Sequence, residues 1–409
     1  MLRSQFHRRA VLGVLGAAGV LASACVMPAA DGFVGSSGES VPGAAWAGGS
    51  EATAGANWAW EIPDGVAPPH VPSDNAMSVA KVELGRHLFY DTRLSANETY
   101  SCASCHDPSI GFTDGERVSV GSTGMPTSRN ALSLGNVAYV QYYTWGNLTL
   151  RTLEAHALVP FFGDQPVEMG ASHAQAEIIE RLSQDTEYGL RFDIAFSERP
   201  VTERLTWKTA IQSISAFQRS LLSFQSAYDG FLSGASDALS PLAERGRELF
   251  FSERLHCGEC HAGRLLSLAF SVAASDPSAP FGPQFRNTGL YNLDGHYPPA
   301  NPGIYAFTLD PADEGKHRIP SLRNVGVTPP YMHDGSIASL ESVIDHYAAG
   351  GRTLTGALAG VGSENPNKDP LVAGFEIAPA ERVAVLAFLH SLTDWQFLAD
   401  PKLADPFTE

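Results

Sequence analysis

Beyond its first twenty-five residues this 409-residue sequence has no apolar run long enough to cross a bilayer as a helix. It also lacks a basic excess. Its 27 Lys and Arg stand against 44 Asp and Glu, a net charge of −17, which argues against nucleic acid and anionic membrane as partners. Few segments alternate apolar and polar with period two, so little sheet is expected. Cysteine is scarce, at five, and the apolar and charged fractions carry no disorder signature. The length leaves room for two ordinary domains.

What is present begins with the N-terminus. Arg3, Arg8 and Arg9 precede an apolar stretch from Ala10 to Leu21 that is too short for a transmembrane span. Leu21-Ala22-Ser23-Ala24-Cys25 resembles a bacterial lipoprotein box. Residues 1–25 are therefore predicted as a signal peptide, with Cys25 lipidated after cleavage. Residues 26–76 read as a flexible tether, Gly/Ser/Ala-rich over 31–57 and unable to bury a core. The expected location is the periplasmic or outer-surface side of a bacterial envelope, with the lipid as the only membrane contact.

The four remaining cysteines form two copies of one motif, Cys102-Ala-Ser-Cys105-His106 and Cys257-Gly-Glu-Cys260-His261. C-x-x-C-H is the pattern of c-type haem attachment. Two thiols add to the two vinyl groups, and the adjacent histidine then lies under the iron. A zinc reading would need four sulfurs to converge from distant positions, and would leave both histidines unexplained.

A duplication accompanies the motifs. Gly85-Arg-His-Leu-Phe-Tyr-Asp-Thr-Arg-Leu94 and Gly246-Arg-Glu-Leu-Phe-Phe-Ser-Glu-Arg-Leu255 share Gly, Arg, Leu, Phe, an aromatic, Arg and Leu at matched offsets. Helices are predicted before each motif, over 77–90 and 241–251. Further helices are predicted over 174–186, 205–228 and 379–392, where apolar residues recur at helical spacing. The expected fold is mainly α. Two cytochrome-c-like haem domains, residues 77–235 and 236–409, would carry long ordered loops, in keeping with 27 prolines and 39 glycines.

The upper ligand of each iron decides its chemistry. Above His106 no histidine occurs before His156, so an open iron able to bind peroxide is expected. Glu168 and His156 are candidates to move a proton between the peroxide oxygens. Above His261 the candidates are Met332, His333, His346 and Tyr347, and composition does not choose among them.

Ile319-Pro-Ser-Leu-Arg-Asn-Val-Gly-Val-Thr-Pro-Pro-Tyr-Met-His-Asp-Gly335 resembles the signature of the bacterial diheme cytochrome c peroxidases and their MauG-like relatives. The likeness runs from about Trp58 to the C-terminus. Within the family, Gly85–Asp91, Asn287–Gly295 and Ile344–Gly351 are similar to the MauG-like subgroup found with methanobactin-type genes. The resemblance implies that Trp145 relays electrons between two covalently bound haems. It implies that Glu168 is the distal acid/base and Pro160 a distal-pocket proline. His156 stands where the family usually has glutamine. Asn130, Thr328 and Pro330 match positions that hold a calcium ion. Tyr347, fourteen residues after His333, falls where peroxidases of the family place a methionine on the second haem and the MauG-like branch a tyrosine.

The function so implied is a peroxide-driven diheme oxidoreductase. It forms a high-valent two-haem state and oxidises a residue of a partner protein, tryptophan to kynurenine in a copper-binding partner. The alternatives are a cytochrome c peroxidase fed by a small electron donor and a non-catalytic diheme electron carrier. The surface tryptophan that MauG-type enzymes carry two residues before the second motif is Leu255 here, so electrons must leave by another route.

Overall fold

The computed structural model describes residues 58–272 and 284–408. The predicted signal peptide, the Cys25 lipid site and the tether up to residue 57 lie outside the described residues. The tether expected over residues 26–76 is too long at its C-terminal end: residues 58–76 form no helix, but they are packed onto the body because they carry apolar and amide side chains that find buried partners. Val66 is buried against Tyr139, Phe224 and Leu265. The Asn75 amide donates to Glu154 Oε1 (2.7 Å) and to the Gln212 carbonyl (2.9 Å).

The fold is mainly α. In chain order the helices are α1 (Val79–Tyr90), α2 (Leu153–Phe162), α3 (Gln175–Ser183), α4 (Thr186–Ala195), α5 (Trp207–Arg219) and α6 (Ala227–Leu232). They continue with α7 (Pro241–Phe250), α8 (Cys257–Cys260), α9 (Tyr305–Thr308), α10 (Leu340–Ala348), α11 (Pro379–His390) and α12 (Trp395–Leu398). Two antiparallel pairs of two-residue strands, β1 (Phe285–Arg286) with β2 (His317–Arg318) and β3 (Thr353–Leu354) with β4 (Gly360–Val361), pin the long loops. Polar caps start the main helices. The Ser78 side chain accepts from Lys81 N, Thr206 from Thr209 N and Ser240 from Ala243 N; Pro241 and Pro379 occupy first-turn positions that need no N–H.

Two of the expected helices need correction. The segment 205–228 is not one helix. Its apolar rhythm continues through Leu221, Leu222 and Phe224, but distant partners hold the backbone after Arg219 in an extended path. Ser223 N donates to Asn136 Oδ1 (3.0 Å), Asn136 Nδ2 to the Ser223 carbonyl (2.8 Å), and Gln225 N to Asp394 Oδ2 (2.8 Å). The segment 174–186 ends at Ser183, because the Asp185 carboxylate accepts from Glu187 N and Tyr188 N and starts a new helix.

Two large hydrophobic clusters organise the chain. One is drawn from residues 80–221 with Phe397 and Leu403, the other from residues 228–392. The repeated glycine explains why the two resemble each other. A Cβ on Gly85 would lie 1.9 Å from the Ser213 carbonyl oxygen and 3.0 Å from Phe217 Cβ. A Cβ on Gly246 would lie 1.8 Å from the Ala384 carbonyl oxygen and 3.0 Å from Phe388 Cβ. Backbone-close crossings of α1 on α5 and of α7 on α11 are thus built alike. Gly246→Ala is expected to destabilise the protein by about 1–3 kcal/mol through overpacking. Gly189→Ala, in open space within α4, should cost nothing or stabilise by up to about 1 kcal/mol. Thermal melts of the two variants side by side check this.

Candidate functional site

Each C-x-x-C-H motif sits on a short helical turn that runs into a bend. The first occupies a 3-10 turn at Cys102–Ser104, the second α8. His106 Nδ1 lies 2.8 Å from the Phe112 carbonyl oxygen, and His261 Nδ1 lies 2.9 Å from that of Leu266. A carbonyl can only accept, so both rings carry the proton on Nδ1 and keep the Nε2 lone pair for another partner. Phe112 (φ 60°) and Leu266 (φ 52°) are both left-handed, an uncommon state for such side chains. The same backbone device thus serves both motifs. Burial lowers the pKa of each imidazole, that of His261 to about 4, so both are neutral ligands at neutral pH.

Among the described residues the four cysteines form no disulfide with one another. Burial pushes Cys102 and Cys257 up to about 12 and Cys105 to about 11, so none is a ready thiolate. Among the described residues no group of three or more His, Cys, Asp or Glu side chains could hold a metal ion, so the sulfurs do not converge as zinc would require.

A cavity of ≈ 240 Å³ adjoins the second motif, bordered by Cys257, Cys260, His261, Trp145 and Tyr347. Tyr347 stands in the last turn of α10. Burial, and after it the nearby cysteine sulfurs, raise its pKa. Among the described residues its hydroxyl has no hydrogen-bond partner. Of the other candidates, Met332 and His333 also border the cavity. His346 does not, and its Nε2 is 3.0 Å from the Thr288 carbonyl oxygen. These surroundings fit a haem. The wall is largely apolar, a neutral imidazole and a phenol face the space, and a buried N–H of Arg318 on the same wall has no partner, as a propionate would require.

The first motif meets a different set. His156, in α2, lies near enough to His106 for the two charges to be felt; burial, then His106 and Arg318, lower it to about 4. It stacks at a tilt on Tyr143, centroids 5.9 Å apart. Pro160, four residues later in α2, has no N–H to give to the His156 carbonyl. The Pro160 carbonyl accepts from Met169 N (2.9 Å), and the Glu168 carbonyl from Ser122 N (2.7 Å). This seats Glu168 beside the end of α2. Burial raises its pKa, and its charge acts on both Cys102 and Cys105. The structure thus brings Glu168 and His156 to the first motif, with Pro160 joined to the residue after Glu168 through the Met169 N–H.

Trp145 is buried, and its Nε1–H donates to the Asn130 carbonyl (2.8 Å). Asn130, Thr328 and Pro330 border the same cavity as Trp145. Sequence reasoning missed Arg318. Its backbone N donates to the Trp145 carbonyl (2.7 Å) and its Nε to the Thr144 carbonyl (2.8 Å). Its charge reaches His156 on one side while its side chain borders the cavity of the second motif on the other. No local signal marks it, because its partners are more than 170 residues away in the chain.

Replacing Cys257 and Cys260 together by alanine is expected to leave a single covalent haem. Denaturing mass spectrometry reads this directly, and retention of two haems would contradict it.

Comparison with known proteins agrees with this geometry. Residues 79–237 match the family model for di-haem cytochrome c peroxidase. The cytochrome-c peroxidase IdrP1 of Denitromonas iodatirespirans is 33% identical, over 83% of this chain and 89% of its own. The methylamine utilization protein MauG of Methylorubrum extorquens is 32% identical, over 79% of this chain and 81% of its own. A crystal structure of a MauG-like protein associated with microbial copper homeostasis is 45% identical, covers 86% of this chain and 100% of its own, and superposes with a TM-score of 0.82. The relatives are enzymes, so the reading as a non-catalytic carrier falls away. A matching family model, relatives of this identity along most of the chain and the paired haem motifs together place the chain in the di-haem cytochrome c peroxidase/MauG family of haem-dependent oxidoreductases.

Proposed function

We propose that this enzyme takes oxidising equivalents from hydrogen peroxide and applies them to a partner protein, converting a tryptophan to kynurenine in a copper-binding protein. The observation that carries this reading is Tyr347 on the wall of the cavity beside Cys257, Cys260 and His261. A tyrosine oxygen is a harder donor than methionine sulfur and lowers a haem's potential, which disfavours entry of electrons from small donor proteins. The likeness to a MauG-like protein linked with copper homeostasis supports the choice of partner.

In this reading Cys102, Cys105 and His106 would hold one haem. Cys257 and Cys260 would hold the other, with His261 and Tyr347 on the same cavity wall as the side chains that would serve its iron. Haem bound at these sites supplies the iron that activates peroxide and the capacity to store its two oxidising equivalents. The protein supplies the proton chemistry. Glu168 takes the proton from one peroxide oxygen and returns it to the other, and its raised pKa suits it to both halves of that task. His156 is neutral and acts only by hydrogen bonding, within the pocket that Pro160 helps to shape. Trp145, anchored by Asn130, is the bridge between the two sites. A calcium ion on Asn130 and the carbonyls of Thr328 and Pro330 would stiffen that anchor. We place the enzyme on the exported side of the envelope, tethered through Cys25.

The test mixes holoenzyme, peroxide and a copper-binding partner. Gain of oxygen mass on a partner tryptophan is expected; an unchanged partner overturns the reading. The relatives named as cytochrome-c peroxidases favour a second reading, peroxide removal with a small donor. Rapid peroxide-dependent oxidation of reduced cytochrome c would select it.

A further inference from the structure

Leu255, where an exit tryptophan would stand, is buried on the wall of the cavity. The aromatic rings lead elsewhere. Trp145 meets His333 edge-on, centroids 6.5 Å apart, and His333 meets Tyr291 at 6.4 Å. His317 stacks flat on His333 at 3.6 Å, and Tyr297 closes the group against both Tyr291 (5.6 Å) and His333 (6.2 Å). The rings form one packed file leading away from the cavity.

Oxidising a buried tyrosine demands a place for its proton. A radical cation held in an apolar interior is costly, and loss of the phenolic proton removes that charge. Among the described residues of this file, Tyr291 is the tyrosine whose hydroxyl is hydrogen-bonded to a carboxylate. Its hydroxyl donates to Asp334 Oδ2, and both residues are 3% exposed. Asp334 Oδ1 accepts from Ser336 N (3.2 Å), so the carboxylate is held in position. The Tyr297 hydroxyl instead accepts from Leu290 N (3.2 Å) and, among the described residues, makes no hydrogen bond to a carboxylate.

We infer that Tyr291 is a redox-active tyrosine that reduces oxidised Trp145 through the His333 contact, with Asp334 as its proton acceptor. The balance is simple. Trp145, oxidised by one electron, regains that electron from Tyr291. The phenolic O–H bond breaks as the proton passes to Asp334, leaving a neutral tyrosyl radical and a neutral carboxylic acid. One oxidising equivalent is thereby moved off the Trp145 bridge to a station behind the cavity. The inference rests on Trp145 acting as the bridge in a peroxide-driven enzyme. It needs no partner protein.

The experiment adds peroxide to the holoenzyme without partner, freezes it within a turnover and records EPR and optical spectra. A tyrosyl signal is expected, with hyperfine structure that changes on incorporation of ring-deuterated tyrosine. Tyr291→Phe should lose it. Asp334→Asn keeps a hydrogen-bond acceptor of the same shape but takes no proton, and it should lose the signal too. Tyr188→Phe should keep it, because the Tyr188 hydroxyl also donates to a carboxylate, Asp91 (2.7 Å), but lies off the ring file. The inference is overturned if the haem spectrum responds to peroxide yet no tyrosyl signal forms, or if the signal survives in either Tyr291→Phe or Asp334→Asn. A haem spectrum that does not respond to peroxide overturns the peroxide-driven reading as well.

Discussion

Replacing Tyr347 by methionine should raise the midpoint potential of the second haem by a few tenths of a volt, a fraction of the ~0.8 V over which axial ligands move haem potentials. The argument is electrostatic. A phenolate oxygen places negative charge on the iron and favours its oxidised states, whereas a thioether is neutral and soft. Burial raises the Tyr347 pKa, so only a strong local cation such as iron would deprotonate it. The variant should also give a different low-spin ferric EPR signal and gain turnover with reduced cytochrome c, while losing activity on a partner protein. Redox titration and EPR of the two proteins decide the matter. An unchanged potential and unchanged signal would remove Tyr347 from the iron, and leave Met332 and His333 as the candidates on the same wall.

Glu168→Gln should slow the reaction with peroxide by roughly 10²–10⁴-fold, the usual range for a positioned acid/base. Stopped-flow mixing with peroxide measures it. The pH dependence carries a sign. The folded-state pKa of Glu168 is raised above that of a free carboxylate. Its basic form is therefore lost on the acid side sooner than for an exposed glutamate, and peroxide reactivity should fall as pH drops through this raised value. Stability runs the other way. The protonated acid is the form the buried site prefers, so its contribution is full below the unfolded pKa and is lost as pH rises through the folded one. The glutamine variant should lack both dependences. A wild-type-like rate in Glu168→Gln would remove the side chain from the proton path.

The haem chemistry was legible because covalent attachment confines two thiols and a ligand to five adjacent residues, twice over. The mainly α character was legible because apolar spacing sets the helical period. Legibility failed where the deciding partner is remote. The break after Arg219 depends on Asn136 and Asp394, neither of which a helical rhythm can register. Tyr347 could be singled out only by resemblance, since four side chains in one region can all ligate iron; the fold then turns His346 away to Thr288 and leaves Tyr347 facing the space. The glycine repeat was visible as a pattern, but its cause, two helix crossings with no room for a methyl group, is a fact of packing.

Arg318 has a consequence for any attempt to tune this enzyme. One guanidinium is held by the backbone carbonyl of Thr144, beside Trp145, and its charge is felt at His156 while it borders the cavity of the second motif. The two centres therefore share a common reference charge. Exchanging Arg318 for a neutral residue would shift both in the same direction. Independent adjustment has to come from residues that address one centre alone. For the second centre that means working from α10; for the first, from the loop that follows α2.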